Sequence, residues 1–333
     1  MTDRFEDLLN SANKGMEYSF IAKHEDFITK ERVDNFISTK LNNIISRSKI
    51  QEAIVNGCLS INNQIIKKKN YALRAGDHII FNYTPKSESP VMPENLPINV
   101  IYEDDYLLVI NKNTNINTHP APDNSGGSLV NALMFRGGLE IDSFDCSKGI
   151  YRPGVVHRLD KDTSGAIIFA KNPDIQSRLS AQFKNRTVKK KYLAVALGII
   201  KEDTGTIAYP LGRDKINRKI MSVRPDGRPS ITDFRIIGRK LNFTFLELDL
   251  KTGRTHQIRA HLKAINHPVA GDRMYSANPE KFSRLMLHSY SIEFMHPVQT
   301  KPLLIIAPLK QEFADFLINS GFELSGLLIE KKN

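Results

Sequence analysis

The chain has 333 residues, of which 41% are apolar, with a formal charge of +11 and a pI near 9.5. This length is sufficient for two domains with packed cores, and the basic balance favours a polyanionic partner such as nucleic acid. No apolar run approaches the roughly 20 residues that span a bilayer, and the acidic N-terminus lacks the apolar core of a secretory signal, so we expect a cytoplasmic protein without a membrane partner.

Residues 1–30 carry no usable signal, whereas residues 31–82 contain two predicted helices, a hairpin and a turn into a short strand. The second helix covers residues 46–54 and ends at Gly57, a common helix stop. The first helix has one apolar face, formed by Val33, Phe36, Ile37 and Leu41. This order of elements resembles the S4 RNA-binding domain, named for a small-subunit ribosomal protein.

The S4-like segment carries eight basic residues against four acidic ones. Charge alone would fit an ordinary solvated surface. The helix pair, with Arg47 and Lys49 at the start of its second helix, favours contacts with RNA phosphates instead.

A proline-rich segment follows at residues 83–97. Its four prolines with polar spacers predict a semi-extended linker that is not rigid.

After the linker, residues 98–112 predict two strands around a Glu-Asp-Asp turn. A helix over residues 129–135 is predicted to be capped by Ser128. The glycine pair at 126–127 lacks the Lys-Ser/Thr of a phosphate-binding loop, so we interpret it as a turn.

The segment 155–165, VVHRLDKDTSG, follows a Pro-Gly turn and leads into an apolar stretch that predicts a buried strand. Such a loop is a poor core element and a good active-site loop. Asp160 has Arg158 and Lys161 on either side, and a carboxylate among cations stays ionised, which suits a nucleophile or a base. Asp162 could have a catalytic role, but it could equally be structural, since an aspartate can close a turn with its own side chain.

A helix is predicted over residues 174–186, followed by a strand that begins near Tyr192. On its own Tyr192 would be a buried, hydrogen-bonded core tyrosine. The stretch 211–228 then holds six cations against two acids and a Pro-Asp-Gly turn. It predicts a surface loop or hairpin whose basic residues, among them Arg218 and Lys219, contact phosphates, with a solvated loop as the alternative.

Two strands over 231–240 and 243–251 lead into TGRTHQIRAHL at residues 252–262. This segment predicts a helix with Thr255 as its N-terminal cap. Its core face is formed by Ile258, Leu262 and Ile265.

Three segments, HRLDKDTSG, KKYLA and TGRTHQIRAHL, resemble in sequence and in order the motifs of the RluA-type pseudouridine synthases. The resemblance implies an enzyme that converts uridine in structured RNA to its carbon-linked isomer, with Asp160 as the essential residue. It further implies that Arg158 supports the flipped-out nucleotide, that Tyr192 lies beside the carboxylate, and that Arg254 pairs with Asp160.

A uridine in folded RNA must be extruded from its stack before it can react, at a cost of a few kcal/mol. Asp160 could then act as a nucleophile or as a base at the sugar, and the sequence leaves both open. No cofactor is expected. No metal is expected either, because His256 and His261 are five residues apart and Cys58 and Cys146 form no metal-binding cluster.

An S4-like module joined to such a catalytic domain resembles large-subunit ribosomal RNA modifiers more than transfer RNA modifiers, so ribosomal RNA is the expected partner. Two other classes stay open. The motif Asp160-Lys161-Asp162-Thr163 also fits aspartyl-phosphate hydrolases. Those enzymes need an unbroken apolar strand before the first aspartate, and here His157 and Arg158 interrupt it. The chain could also be an RNA-binding protein without catalysis.

The sequence therefore predicts an α+β protein and a monomer. Its catalytic domain, residues 98–320, would have a predominantly antiparallel mixed sheet of the pseudouridine synthase fold. A small separate α/β RNA-binding domain at 31–82 precedes it, and residues 321–333 form a C-terminal tail.

Overall fold

The computed structural model describes residues 16–26, 31–42, 45, 47–84, 91–120, 126–140, 143–144 and 152–330. Their contacts divide the chain into two compact units. The smaller unit contains the described residues up to 84, and the larger unit contains those from 91 onward. Within these ranges, no helix has the length and apolarity needed to cross a bilayer.

The smaller unit packs two helices on a four-stranded antiparallel sheet. Both predicted helices are present, as α1 (Val33–Lys40) and α2 (Arg47–Val55), and their apolar faces join the strands in one core. The strand order is β1-β4-β2-β3, with β1 (Met16–Ile21), β2 (Leu59–Ile61), β3 (Gln64–Ile65) and β4 (His78–Tyr83). Strand β1 lies in the N-terminal segment for which the sequence predicted nothing.

The larger unit is built on a nine-stranded sheet in the order β5-β6-β7-β14-β8-β13-β12-β9, with β15 on β14. Only the pair β7 and β14 is parallel. The predicted α+β architecture with a predominantly antiparallel mixed sheet is confirmed. The strands are β5 (Val100–Glu103), β6 (Leu107–Lys112), β7 (Ser164–Ala170), β8 (Lys189–Leu197), β9 (Thr204–Ile207), β12 (Thr232–Lys240), β13 (Phe243–Leu250), β14 (Leu287–Met295) and β15 (Pro302–Ile306).

A separate two-stranded hairpin, β10 (Leu211–Arg213) with β11 (Met221–Val223), forms the basic stretch. The helices of this unit are α3 (Leu129–Arg136), α4 (Pro173–Lys184), α5 (Gln257–Ala264) and α6 (Gln311–Asn319). Ser128 caps α3, as predicted, by accepting a hydrogen bond from the Asn131 backbone N–H.

The centre of the large sheet is apolar on both faces. Every residue of β6 and β7 is buried, which explains why β7 has the continuous β-branched and apolar run that predicted a buried strand. The loop 155–163 runs directly into β7, so its position is fixed by the most deeply buried part of the unit.

The predicted linker 83–97 is described only in part, since residues 85–90 lie outside the described ranges. The Asn131 side chain donates to the Met92 carbonyl at 2.7 Å, and the Glu94 backbone N–H donates to the Asn131 carbonyl at 3.0 Å. Residues 91–97 therefore lie against the larger unit instead of extending freely from it.

Gly165 makes the parallel pairing of β7 with β14 possible. Its φ of +112° is a conformation that L side chains rarely adopt, and a Cβ there would lie 2.2 Å from the carbonyl oxygen of Ser289. We expect Gly165→Ala to lower the free energy of unfolding of the larger unit by about 3 kcal/mol, because backbone strain and a backbone clash act together.

Gly326 provides the matched control, because its φ is +80° and no atom lies within 4 Å of a Cβ placed there. Gly326→Ala should cost only about 1 kcal/mol. Urea denaturation of the two variants measures the difference, and equal losses would show that the close approach at Gly165 does not matter.

Candidate active site

An open cavity of about 500 Å³ lies where the loop before β7, the start of β8 and the segment between β13 and α5 meet. Asp160 is on its wall, together with Arg158, Tyr192 and Arg254. The four residues that the sequence assigned to the reaction, more than 90 positions apart at the extremes, are thus brought to one cavity.

Asp160 is held by an arginine from α5. The Arg259 Nη1 donates to Asp160 Oδ2 at 3.3 Å, while Nε and Nη2 donate to the two carboxylate oxygens of Asp272 at 2.7 and 2.8 Å. Asp272 is fully buried and the Arg259 side chain is 4% exposed, whereas that of Asp160 is 19% exposed. One guanidinium therefore binds a buried carboxylate with two parallel hydrogen bonds and fixes a second carboxylate that faces the cavity.

Burial opposes the charge on Arg259, but the hydrogen bonds and charges of Asp272 and Asp160 outweigh it, so the pKa of Arg259 lies above its ordinary value. The guanidinium also stacks over the ring of Tyr275, 5.1 Å from its centroid. Asp160 is consequently paired with a permanently charged, immobile cation.

The predicted ion pair between Asp160 and Arg254 is not formed. In residues 152–330, which the structure describes without a gap, the Arg254 Nε donates to the Pro229 carbonyl at 3.4 Å and Arg259 takes the place beside Asp160. Both arginines belong to the same motif, and Arg254 still lines the cavity. The prediction chose the wrong arginine of the motif because Arg259 faces inward from the first turn of α5.

The predicted cap of α5, Thr255, is also wrong. The helix begins after His256, which has the left-handed conformation with φ of 53° and makes no side-chain cap. The Gln257 side chain instead binds the segment before the helix, because its Oε1 accepts from the Arg254 backbone N–H at 3.0 Å and from the Thr252 hydroxyl at 2.8 Å. The left-handed residue turns the chain so that the first turn of α5 faces the cavity.

His256 is a second neighbour of Asp160 that the sequence did not single out for catalysis. Its Nε2 lies 3.8 Å from Asp160 Oδ2, and its Nδ1 is 3.1 Å from the Tyr275 hydroxyl. Burial lowers the pKa of His256, against the opposing effect of the Asp160 charge. The ring is therefore neutral near pH 7.

Tyr192 lies at the start of the buried part of β8 and is 8% exposed. Burial raises the pKa of its phenol to about 12, while a hydrogen bond with Ser289 acts in the opposite sense. The phenol keeps its proton at neutral pH and can donate it to a group in the cavity.

The active-site loop is held from beneath by Lys112, the last residue of β6. Its ammonium is fully buried and donates to three backbone carbonyls, those of Asn113 and Ile116 at 2.9 Å and that of Lys161 at 2.8 Å. Burial lowers the pKa of Lys112 to about 7, and the charges of Asp162 and Asp160 act in the opposite direction. The Lys112 side chain thus contacts three carbonyl acceptors, and one of these carbonyls belongs to Lys161, the residue after Asp160.

His157 fixes the other side of the loop. Its Nε2 accepts from the Ile168 backbone N–H at 2.9 Å, and its ring stacks on Phe183 at 4.5 Å. Burial lowers the pKa of His157 to about 3. This histidine is a neutral structural residue, and it separates the exposed Arg158 from the core.

The predicted RNA contacts lie at two places. In the smaller unit, Arg47 donates to buried Asp34 at 3.1 Å and keeps 45% of its side chain exposed. In the larger unit, Arg218 and Lys219 are exposed on the turn between β10 and β11. Lys49 is half-buried on α2. Arg47 is thus oriented by a carboxylate, which charge counting alone could not show.

His261, which was considered for a metal, and His267 have separate environments. His261 Nδ1 is 2.9 Å from the Thr232 hydroxyl, and His267 Nδ1 is 2.9 Å from the Leu197 carbonyl. Among the residues that the structure describes, no three His, Cys, Asp or Glu side chains are grouped to hold a metal ion.

Comparisons with known proteins identify the family of the chain. A family model described as RNA pseudouridylate synthase matches residues 106–264, and one described as S4 domain matches residues 31–79. An uncharacterized RNA pseudouridine synthase of Bacillus subtilis, YlyB, is 38% identical over 292 residues, which cover 87% of this chain and 94% of that protein.

The chain belongs to the RNA pseudouridine synthase family. The resemblance that its motifs indicated, with an S4 domain in the N-terminal part, is confirmed. A relative from Haemophilus ducreyi, named ribosomal large subunit pseudouridine synthase D, is 33% identical over 82% of this chain and 86% of its own length. A solved structure, human RNA pseudouridylate synthase domain containing 1, has a TM-score of 0.54 and 27% identity over 65% of this chain and 85% of its own.

Sequence reasoning missed Arg259, Asp272, His256, Tyr275 and Lys112. Helical spacing could have found Arg259, because it lies three positions before Leu262 on the buried side of α5. For Asp272 there was no signal in the sequence, since only the fold brings it to Arg259. Lys112 ends a strand that begins with four apolar residues, and that position would have indicated a buried cation.

Lys112 leads to a prediction about stability and pH. Its pKa is lower in the folded chain than in the unfolded chain, so the unfolded chain binds the proton more tightly and stability rises with pH between about 7 and 10.5. Relative to Lys112→Met, the free energy of unfolding of the native protein should rise by up to about 1.4 kcal/mol per pH unit in this window.

Lys112→Met should also be less stable at pH 9 by about 2 kcal/mol, because the two N–H groups of the neutral amine no longer donate to the backbone carbonyls around it. Denaturation with urea from pH 7 to 10 measures both effects, and Lys161→Met, at an exposed position, is the control. Parallel curves for the native protein and Lys112→Met would contradict the prediction.

Proposed function

We propose that this pseudouridine synthase converts specific uridines of large-subunit ribosomal RNA to pseudouridine, with Asp160 as the reacting carboxylate and without a cofactor. The observation that carries the proposal is the carboxylate of Asp160, facing an open cavity while Arg259 holds it from behind. We infer from this substrate that the protein is cytoplasmic.

The net reaction exchanges the bond between the sugar C1′ and the base N1 for one between C1′ and C5, and it moves a proton from C5 to N1. Asp160 starts it by attacking C1′ or by removing a proton from the sugar, and both routes need an ionised carboxylate in fixed orientation. The hydrogen bond from Arg259 limits the rotation of the carboxylate. No step requires an electron or group carrier.

Tyr192 assists at the base. Its phenol keeps its proton at neutral pH, so it can donate a hydrogen bond to the uracil ring while the ring is detached. We assign Tyr192 to orienting the base and not to accepting the C5 proton.

The target nucleotide enters the cavity from its stack. The volume of about 500 Å³ lies within the range of pockets that take small ligands and accommodates one nucleoside. Arg158 is exposed on the same wall, two residues before Asp160, and we assign it to supporting the flipped-out state. Arg254, which lines the cavity without holding Asp160, contacts the substrate backbone in this proposal.

Large-subunit ribosomal RNA is the proposed target because relatives over most of the chain carry ribosomal large subunit pseudouridine synthase as their name. The S4 domain and the basic hairpin supply phosphate contacts at Arg47, Lys49, Arg218 and Lys219. Transfer RNA is the alternative substrate. Family membership argues against an aspartyl-phosphate hydrolase, and a non-catalytic RNA-binding protein is distinguished by the experiment below.

Asp160→Asn should reduce pseudouridine formation by at least about 1000-fold, because an amide can neither attack nor remove a proton. Release of tritium from transcripts labelled at uridine C5 measures the reaction in large-subunit ribosomal RNA and in transfer RNA. Asp162→Asn, two residues away in the same loop, is the control and should keep activity within about tenfold.

RNA affinity of Asp160→Asn should stay within about threefold of the native protein, because charge contacts elsewhere supply binding. Full activity in Asp160→Asn would remove Asp160 from its role. Native protein that binds RNA and releases no tritium from either RNA would indicate the non-catalytic alternative.

The two arginines give a second test. Arg259→Lys should lower kcat by about 100-fold, because a lysine cannot bind Asp272 through two hydrogen bonds and reach Asp160 as well. Arg254→Lys should mainly raise KM and leave kcat within about fivefold, as expected of a substrate contact. Thermal unfolding of both variants shows whether the change is local. A large fall in kcat for Arg254→Lys alone would restore Arg254 as the partner of Asp160.

A further inference from the structure

The turn of the basic hairpin carries an apolar side chain that nothing in the larger unit covers. Ile216, between β10 and β11, is 97% exposed. In the described part of the chain, no other large apolar side chain is as exposed, and the next, Leu241, is 79% exposed. Burying a side chain of this size is worth about 2 kcal/mol. Its exposure on the turn therefore indicates a contact with a binding partner.

The turn that presents Ile216 is ordered by its own hydrogen bonds. Asp214 Oδ1 accepts from the backbone N–H groups of Ile216 at 3.0 Å and Asn217 at 2.9 Å, and Asn217 Oδ1 accepts from the Lys219 N–H at 3.1 Å. These backbone hydrogen bonds lower the pKa of Asp214, so the carboxylate that holds the turn stays ionised. Ile216 therefore projects from a turn whose conformation is held by hydrogen bonds.

The hairpin is attached to the wall that holds Asp160. At the first residue of β11, directly after the turn, the Met221 N–H donates to the Tyr275 hydroxyl at 2.7 Å, and this hydroxyl is 3.1 Å from His256 Nδ1. His256 Nε2 in turn is 3.8 Å from Asp160. Two hydrogen bonds thus connect the strand that carries the turn to the neighbour of the reacting carboxylate.

The charges around Ile216 indicate what the partner is. Lys215, Arg218 and Lys219 are exposed on the same turn. An apolar residue with cations on either side suits nucleic acid, because the cations contact phosphates while the apolar group enters between bases. A protein partner with an apolar pocket would not require three cations at the rim.

We propose that Ile216 is a wedge that inserts into the base stack of the RNA next to the target uridine and stabilises the extruded state. This rests on the proposed function, since the stack must be opened before the uridine can reach Asp160. Arg158 supports the flipped nucleotide from the cavity, whereas Ile216 occupies a neighbouring base step. The basic side chains of the turn hold the backbone on both sides of that step.

The test measures unstacking separately from catalysis. The probe is the stem–loop of large-subunit ribosomal RNA that the protein binds most tightly, with 2-aminopurine in place of the base next to its uridine. Asp160→Asn is the background, so no product forms. Binding should raise the fluorescence of 2-aminopurine, and Ile216→Ser should reduce this rise at least fivefold while the Kd changes less than threefold.

Leu241→Ser, at an exposed turn of the same unit, is the matched control and should keep the full rise. Ile216→Met should restore most of it, because any apolar group of similar volume can enter the step. With Asp160 present, Ile216→Ser should lose at least tenfold in kcat/KM on the folded stem–loop and less than twofold on an unpaired oligonucleotide of the same sequence.

An undiminished fluorescence rise in Ile216→Ser would overturn the wedge, as would equal losses on folded and unpaired RNA. Absence of product with the native protein would instead contradict the proposed function. The fluorescence signal in the Asp160→Asn background does not depend on product, so the two failures are distinguishable.

Discussion

The pairing of one buried guanidinium with two carboxylates determines the arrangement of the active site. Arg259 binds buried Asp272 through two hydrogen bonds and reaches Asp160 with its remaining nitrogen. A buried charge is tolerated only when it is paired and hydrogen-bonded, so Asp272 holds Arg259 in place and Arg259 in turn holds Asp160. The Asp160 side chain is partly exposed to the cavity, whereas the Arg259 side chain that orients it is buried.

The rest of the larger unit keeps the loop of Asp160 from moving. Lys112 binds the carbonyl of Lys161, beside Asp160, from below, and His157 binds strand β7 by accepting from the Ile168 N–H. Gly165 then allows β7 to approach β14 closely. A loop fixed at three points can present an ionised carboxylate without the entropy loss that a mobile loop would suffer on binding RNA.

The residues proposed to bind RNA differ in burial from those around Asp160. Arg47 in the smaller unit and the cations of the hairpin between β10 and β11 are exposed and face solvent, whereas the residues around Asp160 are largely buried. Phosphate contacts are sequence-independent and add affinity from several places, so they can be distributed over both units. The proposed reaction needs one fixed geometry, and the buried partners around Asp160 lie within one unit.

The sequence by itself determined the local elements and the family to which the motifs belong: two helices before a hairpin, and a loop with Asp160, the residue proposed to react, leading into buried β7. Periodicity and turn residues are local properties, so they can be read from the chain. Only the tertiary structure decided which arginine meets Asp160. The left-handed conformation of His256 turns α5 inward, and Asp272 reaches Arg259 through the fold; neither follows from residue order, because long-range pairing depends on how strands and helices pack.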